Sequence, residues 1–142
     1  MDEPTWISDE LVAAVHDRQI AEHGGTPGVR DEGLLESALA RPKQKWAYGG
    51  EQVGIVVLAA AYAFGIARNH PFSDGNKRTA AVICELFLEL NGYTLTASDG
   101  DLYPVFMALA AGEMSEEGLV EWLGTCARPD AVNEVAGGYR TS

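Results

Sequence analysis

Residues 53–92 read VGIVVLAAAYAFGIARNHPFSDGNKRTAAVICELFLELNG, two largely apolar runs separated by a short polar loop. The first run, residues 53–67, is shorter than the roughly 20 apolar residues that span a bilayer, and it predicts a buried central helix. The second run predicts a helix over about 76–91, closed by Gly92. Side chains at helical spacing should turn this second helix toward the core: Ile83, Leu86, Phe87 and Leu90.

The rest of the chain predicts an all-α fold, a compact bundle of about six helices. No segment has a convincing strand pattern, although residues 42–51 predict either a loop or a short hairpin flap. We expect residues 1–128 to form one domain, followed by a flexible tail over 129–142. Four further helices are expected: 9–23 capped by Ser8, 32–40 ended by Pro42, about 101–111, and from after Ser115 to about Cys126.

The charge balance limits the kinds of partner. The 142-residue chain has 10 Lys and Arg against 21 Asp and Glu, a formal net charge of −11. Nucleic-acid binders need a basic surface, so we expect no nucleic-acid partner for the chain by itself. The N-terminal MDEPTW has neither the basic start nor the apolar run of a signal peptide. Cys84 and Cys126 form no C-x-x-C pair, so we expect a reduced, cytoplasmic protein without membrane attachment.

The loop HPFSDGNKRT, residues 70–79, places two cations where a helix begins. The start of a helix carries positive partial charge, so Lys77 and Arg78 should each cost about 0.3–1 kcal/mol there. A bound phosphate removes this cost, since a charge-assisted hydrogen bond contributes about 1.5–3 kcal/mol. The preceding turn should point the backbone N–H groups of Gly75, Asn76 and Lys77 outward as an anion nest.

His70 and Asp74 complete a set suited to phosphate chemistry. A histidine titrates near neutral pH and can take a proton from a hydroxyl. A lone carboxylate would repel a phosphate, but it would hold Mg²⁺ that bridges phosphates. Each residue alone also fits an ordinary structural role, as a structural histidine, a turn residue or a solvated cation. Together they predict phosphoryl or nucleotidyl transfer, without the G-x-x-x-x-G-K-[ST] pattern of a Walker A loop.

The motif HPFSDGNKR resembles the signature of the Fic/Doc (Fido) family, whose general form is H-x-F-x-[D/E]-G-N-G-R-x-x-R. Lys77, where most Fic enzymes have glycine, resembles the death-on-curing (Doc) branch, the toxins of toxin–antitoxin operons. The resemblance covers roughly residues 5–127. Segments outside the motif that are similar to this branch are HGGTPGVRDEGLLESALARP, AAAYAFGIARNHPF and LFLELNGY.

This resemblance implies an all-helical fold and a role for each motif residue. His70 would be the base that activates a target hydroxyl, and Asp74 would bind Mg²⁺. The phosphates of ATP would be held by Arg68, Gly75, Asn76, Lys77 and Arg78. The family has a flap that docks the target peptide as an added strand, and its position matches residues 43–50. The flap residues expected to dock the target are Lys43, Gln44, Lys45, Trp46, Ala47 and Tyr48.

The resemblance also implies two alternative reactions. Fic enzymes transfer AMP from ATP, whereas Doc binds ATP reversed and transfers the γ-phosphate to a threonine of elongation factor Tu, which arrests translation. Ala81 replaces the second motif arginine and favours the kinase, while Gly75 has the Fic form where Doc has alanine. A third alternative is a catalytically silent module that binds an antitoxin, which the intact set of His70, Asp74 and Asn76 disfavours.

Inhibition is expected to come from a separate protein. Self-inhibited Fic proteins carry an [S/T]-x-x-x-E-[G/N] helix, and no Ser or Thr of this chain is followed by Glu four positions later. The resemblance therefore implies a Phd-like antitoxin encoded nearby, a partly disordered partner that folds onto the domain.

Overall fold

The computed structural model of the protein describes residues 2–130 and shows a compact bundle of six helices, as the sequence predicts. A 3₁₀ turn, Gly50–Gln52, follows the second helix. The sequence placed the first and last helices correctly. Ser8 caps the first as expected, and Ser115 caps the last. The helices are α1 (Asp9–His23), α2 (Glu32–Gly49), α3 (Ile55–Asn69), α4 (Asn76–Leu90), α5 (Asp99–Ala110) and α6 (Glu116–Cys126).

Helix α3 is the centre of the bundle and packs against α2, α4, α5 and α6. Ten of its residues are buried, half of them alanine, which confirms the predicted central helix. Small side chains let the neighbouring helices approach closely. A Cβ at Gly65 would lie 3.1 Å from the Cα of Ala38 on α2, so a larger residue here would push the two helices apart.

Helix α4 presents most of its predicted stripe to the core. Ile83 and Phe87 are fully buried, and Leu86 packs partly against the core. The prediction for Leu90 is wrong, because this side chain is 41% exposed at the last residue of the helix. The chain turns away directly afterwards, where Asn91 binds the backbone of Thr5 through its carboxamide (2.8 and 3.1 Å).

Helix α2 continues through Pro42, so the prediction that it ends near residue 40 is wrong. Proline removes one backbone hydrogen bond from a helix, but tertiary contacts hold the second half in place. Arg41 and Lys45 both pair with the buried Glu116 of α6, and the Arg41 guanidinium lies 5.0 Å from the centre of the Phe64 ring. These contacts outweigh the local preference for a break.

The predicted loop or hairpin over residues 42–51 is also wrong. Residues 43–48, expected to be a target-docking flap, lie in the second half of α2, and a helix has no free strand edge. Extended backbone lies instead in the loop between α1 and α2, where Val29 pairs antiparallel with Phe72. This loop, residues 24–31, covers the motif loop.

A small sheet was not predicted, because its strands are too short to show alternation. Strand β1 (Tyr93–Leu95) pairs antiparallel with β2 (Ala127–Pro129), with Leu95 opposite Ala127. The Asp130 N–H donates to the Gly92 carbonyl (2.9 Å), so the first two residues of the predicted tail belong to the fold. The rest of that tail, residues 131–142, lies outside the described residues.

The two cysteines form no disulfide. Cys84 and Cys126 are both buried and both free. Burial raises the pKa of the Cys84 thiol well above its ordinary value, so this cysteine is a core residue. Within residues 2–130, no helix combines the length and the apolar character needed to cross a bilayer.

Candidate active site

A cavity of about 340 Å³ lies where α3 ends and α4 begins. Six of the predicted site residues line it, together with Ser73 and Tyr103. Arg68 and residues 43–48 are not among its lining residues. The Arg68 guanidinium lies 5.3 Å from the centre of the Phe64 ring and close to Gly112 instead. The predicted residues brought together here are His70, Asp74, Gly75, Asn76, Lys77 and Arg78.

The start of α4 leaves several backbone donors free. Gly75 precedes it in a left-handed conformation (φ 75°) that suits glycine, and no side chain caps the helix. Its own N–H, expected to face a ligand, donates instead to Asp74 Oδ1 (3.0 Å). The N–H groups of Asn76, Lys77 and Arg78 make no hydrogen bond to any described residue. The helix start therefore offers three donors to an anion.

Lys77 and Arg78 add positive charge at the same place. Neither side chain forms an ion pair with a residue in the described part of the chain, although the protein has 21 carboxylates against 10 Lys and Arg. The first turn of α4 has no acidic residue that would offset them. Two cations without an ion-pair partner among the described residues, beside three free N–H groups, suit the binding of an anion.

Asp74 is oriented by backbone contacts from two loops. Its Oδ1 accepts from Gly75, and its Oδ2 accepts from the Thr26 N–H (3.3 Å). The approach is close, since a Cβ at Gly25 would lie 2.8 Å from Asp74 Oδ2. Within residues 2–130 no group of three or more His, Cys, Asp and Glu side chains converges. One carboxylate beside a helix start that suits a phosphate still fits Mg²⁺, which usually takes its other ligands from phosphates and water.

His70 is the C-cap of α3, and its backbone is left-handed (φ 49°, ψ 56°). It is the one non-glycine residue with positive φ in the described part of the chain. Its N–H donates to the Ile66 carbonyl (3.2 Å), while its imidazole forms no hydrogen bond to a described residue. Its imidazole therefore lies on the cavity wall with both ring nitrogens available for contact with a ligand.

Three contacts that shape the motif loop were missed by the sequence. The His16 ring of α1 is buried and stacks on the Phe72 ring, with ring centres 3.8 Å apart and ring planes at 9°. Its Nε2 donates to the Asp74 carbonyl (2.9 Å). The Asn76 carboxamide brackets the Phe72 backbone, accepting from its N–H and donating to its carbonyl at 3.0 Å each. Arg30 donates to the His70 carbonyl. The sequence could have indicated a buried His16, because it lies four positions after Val12 and therefore on the same face of α1.

A second cavity of about 470 Å³ adjoins the first between α1, α4 and α5, and the two share Lys77, Arg78 and Tyr103. Part of its wall is apolar, formed by Ala81, Val82 and Leu102. Three carboxylates also line it, from Glu22, Glu85 and Asp99. Burial raises the pKa of the Glu85 carboxyl, and the charges of Glu89 and Asp99 raise it further. One end of the combined space is cationic and the other acidic.

Comparison with known proteins connects this arrangement to a family. Residues 6–88 match the sequence profile of the Fic/DOC family. The chain is 36% identical over 117 residues to the protein kinase doc of Escherichia phage P1, covering 82% of this chain and 91% of that protein. It is 47% identical over 75 residues to the toxin Doc of Mycolicibacterium smegmatis, covering 52% of this chain and 57% of that toxin.

Proposed function

The chain belongs to the Fic/DOC family, in its death-on-curing branch, and we propose that it is a toxin that transfers the γ-phosphate of ATP to a serine or threonine hydroxyl of a protein. One observation carries this proposal. Lys77 and Arg78 stand unpaired among the described residues at an uncapped helix start, beside the unbonded imidazole of His70. A phosphate donor would occupy the first position, and an acceptor hydroxyl would approach the second.

In the proposed reaction, the phosphate oxygens accept hydrogen bonds from the free N–H groups of α4 and pair with Lys77 and Arg78. His70 takes the proton of the target hydroxyl. The hydroxyl oxygen bonds to the γ-phosphorus while the bond from that phosphorus to the β–γ bridging oxygen breaks, and ADP leaves with the electron pair. His70 then releases its proton to water. Mg²⁺ held by Asp74 would neutralise part of the triphosphate charge.

The second cavity supports transfer of the γ-phosphate rather than of AMP. Its carboxylates would repel phosphates but accept hydrogen bonds from ribose hydroxyls, and its apolar wall suits a base. Ala81 provides no cation there to hold a terminal phosphate. The nucleoside would therefore lie in this cavity, with the triphosphate running past Lys77 and Arg78 toward His70.

AMP transfer is the second candidate, and one observation favours it. Gly75 has φ 75°, a conformation that glycine adopts without strain, and glycine at this position is the Fic form of the motif. The same helix start would then hold the α-phosphate beside His70.

The acceptor segment needs a strand edge, and the loop between α1 and α2 supplies one. Gly28 and Arg30 bond toward the motif loop, through Ser73 N–H to Gly28 O (3.0 Å) and Arg30 N–H to Pro71 O (2.7 Å). The N–H and carbonyl of Val29 make no hydrogen bond to a described residue. We place target docking on this Val29 edge rather than on residues 43–48. A groove of about 450 Å³ begins beside Val29 and Phe72 and would take side chains of the target.

The target and the inhibitor are further parts of the proposal. Elongation factor Tu is the target that the death-on-curing resemblance implies, and a Phd-like antitoxin encoded nearby is the expected inhibitor. Val29 pairs with Phe72, four residues before the first free N–H group of α4, so a single antitoxin segment could cover both the Val29 edge and the three N–H groups.

The test is a reaction of the purified protein in a cell extract with ATP labelled on either the α- or the γ-phosphate. We expect a protein band near the mass of elongation factor Tu that is labelled from the γ-phosphate alone. His70→Ala should abolish the label, a loss of about 10²–10⁴-fold, while circular dichroism stays unchanged because the side chain is exposed. Label from the α-phosphate would favour AMP transfer, and no label from either would refute both.

A further inference from the structure

The backbone of His70 is unusual for two separate reasons. A left-handed conformation costs a non-glycine residue free energy, because its Cβ crowds the following carbonyl. His70 also precedes Pro71, and the proline ring restricts the backbone of the residue before it, favouring extended conformations. Since φ sets the direction of the Cα–Cβ bond, this backbone determines where the imidazole lies. Other contacts must hold it in place.

Arg30 makes those contacts. Its Nε and Nη2 both donate to the His70 carbonyl (2.8 and 2.6 Å), and Nη2 also donates to the Asn69 carbonyl (3.0 Å). These carbonyls lie at the C-terminal end of α3, where unpaired acceptors and negative partial charge favour a cation. The planar guanidinium can bond both at once, which an ammonium group cannot do with the same geometry.

Arg30 is itself fixed to the motif loop. Its backbone N–H donates to the Pro71 carbonyl, on the other side of the His70–Pro71 peptide bond. Its side chain forms no ion pair with a carboxylate of the described residues, so the guanidinium is committed to the two carbonyls. Arg30 also follows Val29, the residue at the free strand edge. One arginine therefore joins the proposed docking strand to the backbone of the proposed base.

We propose that Arg30 is the positioning residue of His70, holding its left-handed backbone so that the imidazole faces the acceptor hydroxyl. This inference rests on the proposed function for its kinetic consequence, but its structural part does not. Removing Arg30 should lower kcat by about 10- to 100-fold, because a small misplacement of a catalytic group has effects of this size. The KM for ATP should change less than about twofold, since the phosphates bind at α4.

The experiment compares Arg30→Ala and Arg30→Lys with Arg128→Ala, which removes an exposed arginine that also donates to backbone carbonyls at the end of a helix, α6. Transfer kinetics give kcat and KM separately. Proton NMR of the three histidines, His16, His23 and His70, gives a readout that needs no activity. Arg30→Ala should shift or broaden the His70 ring signals alone and reduce kcat, and Arg30→Lys should restore only part of either. Arg128→Ala should change neither.

The outcomes separate the two proposals. Unchanged His70 signals and unchanged kcat in Arg30→Ala would overturn the positioning role. Equal shifts of all three histidines with a loss of circular dichroism would also overturn it, because Arg30 would then support the whole fold. If the wild-type protein labels nothing from ATP, the proposed function fails, and the NMR comparison still decides whether Arg30 orients His70.

Discussion

At the scale of single residues, the site depends on a close approach between two loops. Gly25 has φ +119°, and a Cβ there would lie 2.8 Å from Asp74 Oδ2. Gly28, in the same loop, has φ +102°, and a Cβ there would meet no atom within 4 Å. Both glycines have a positive φ that disfavours other residues, but only a Cβ at Gly25 would contact Asp74. They can therefore separate backbone strain from displacement of the carboxylate.

We expect Gly25→Ala and Gly28→Ala to lower stability similarly, by about 1–2 kcal/mol each, because both place a Cβ at positive φ. Gly25→Ala alone should displace Asp74 and weaken Mg²⁺-dependent binding of ATP by about tenfold, the usual size of an outer-shell effect on a metal site. Denaturant unfolding measures the first effect. Calorimetry of ATP with Mg²⁺ and with a chelator measures the second. Equal loss of Mg²⁺ dependence in both variants would contradict this account of Asp74.

At the scale of helices, α2 is held beyond Pro42 by one buried carboxylate. Glu116 lies at the first residue of α6 with 7% of its surface exposed, and it accepts from Arg41 and pairs with Lys45 (3.4 Å). Both partners are about 40% exposed, which weakens each pair through solvent screening. The neighbouring Glu117 is exposed on the same turn and shares only the position near the helix start.

Glu116→Gln should therefore destabilise the fold by about 1–3 kcal/mol, since it leaves Arg41 without its anion. Glu117→Gln removes the same charge and should cost less than about 0.5 kcal/mol. Hydrogen exchange should locate the loss of protection in residues 43–49, the part of α2 after the proline. Uniform loss over all of α2 would show that Pro42 does not divide the helix.

A different pair of helices carries an electrostatic cost. Burial and the charges of Glu89 and Asp99 raise the pKa of Glu85 on α4. The ionised form is thus penalised in the folded protein, and the stability present in acid is lost as pH rises through the folded pKa. Glu85 also lines the cavity proposed for the nucleoside.

Glu85→Gln should raise Tm by a few degrees at neutral pH, and the gain should vanish in acid, where the wild-type carboxyl is protonated. The same variant should weaken ATP binding severalfold, because an amide is a poorer acceptor for ribose hydroxyls. Melting curves across pH and calorimetry with ATP measure both. A variant that gains stability and binds ATP as before would place the nucleoside elsewhere.

The helices were predictable where local signals decide them. Ser8 and Ser115 mark starts that need only the adjacent backbone, and the apolar run of α3 needs only its own composition. The end of α2 was predicted wrongly at Pro42, because the contacts that hold the helix beyond the proline come from Glu116, 74 residues later. The strands β1 and β2 were not predicted for a similar reason. Each is only three residues long and is stabilised by pairing with the other, which is distant in sequence.

The candidate site divides in the same way. The motif residues His70 to Arg78 are contiguous, so the sequence could group them, and the structure places six of them around one cavity. Arg30 and His16 reach the motif from other elements across at least 40 positions of sequence, and no local pattern ties them to it. Arg68 was grouped with the motif by proximity in sequence, but it lies on the side of α3 that faces Gly112.

At the scale of the whole molecule, the net charge of the chain and the local charge at the start of α4 have opposite signs. The chain carries a net charge of −11, yet Lys77 and Arg78 at the candidate site form no ion pair with a described residue. We therefore expect no long-range attraction between the chain and ATP. Binding at the proposed site should depend on the local donors at α4, whose attraction is screened within about 10 Å at ordinary salt.

The alanine-rich centre of the bundle has a consequence for genetic tests of the proposed toxin activity. Almost any exchange along α3 introduces a larger side chain where Ala59, Ala60, Ala63 and Gly65 leave no room, and overpacking a core typically costs about 1–3 kcal/mol. Survivors selected after forced expression should therefore carry missense changes in codons 55–69 as often as in codons 70–78. Sequencing such survivors measures the distribution, with the exposed face of α2 as the comparison. Hits confined to the motif would contradict it. If the prediction holds, mutations that abolish toxicity will lie outside the proposed chemical residues at least as often as among them.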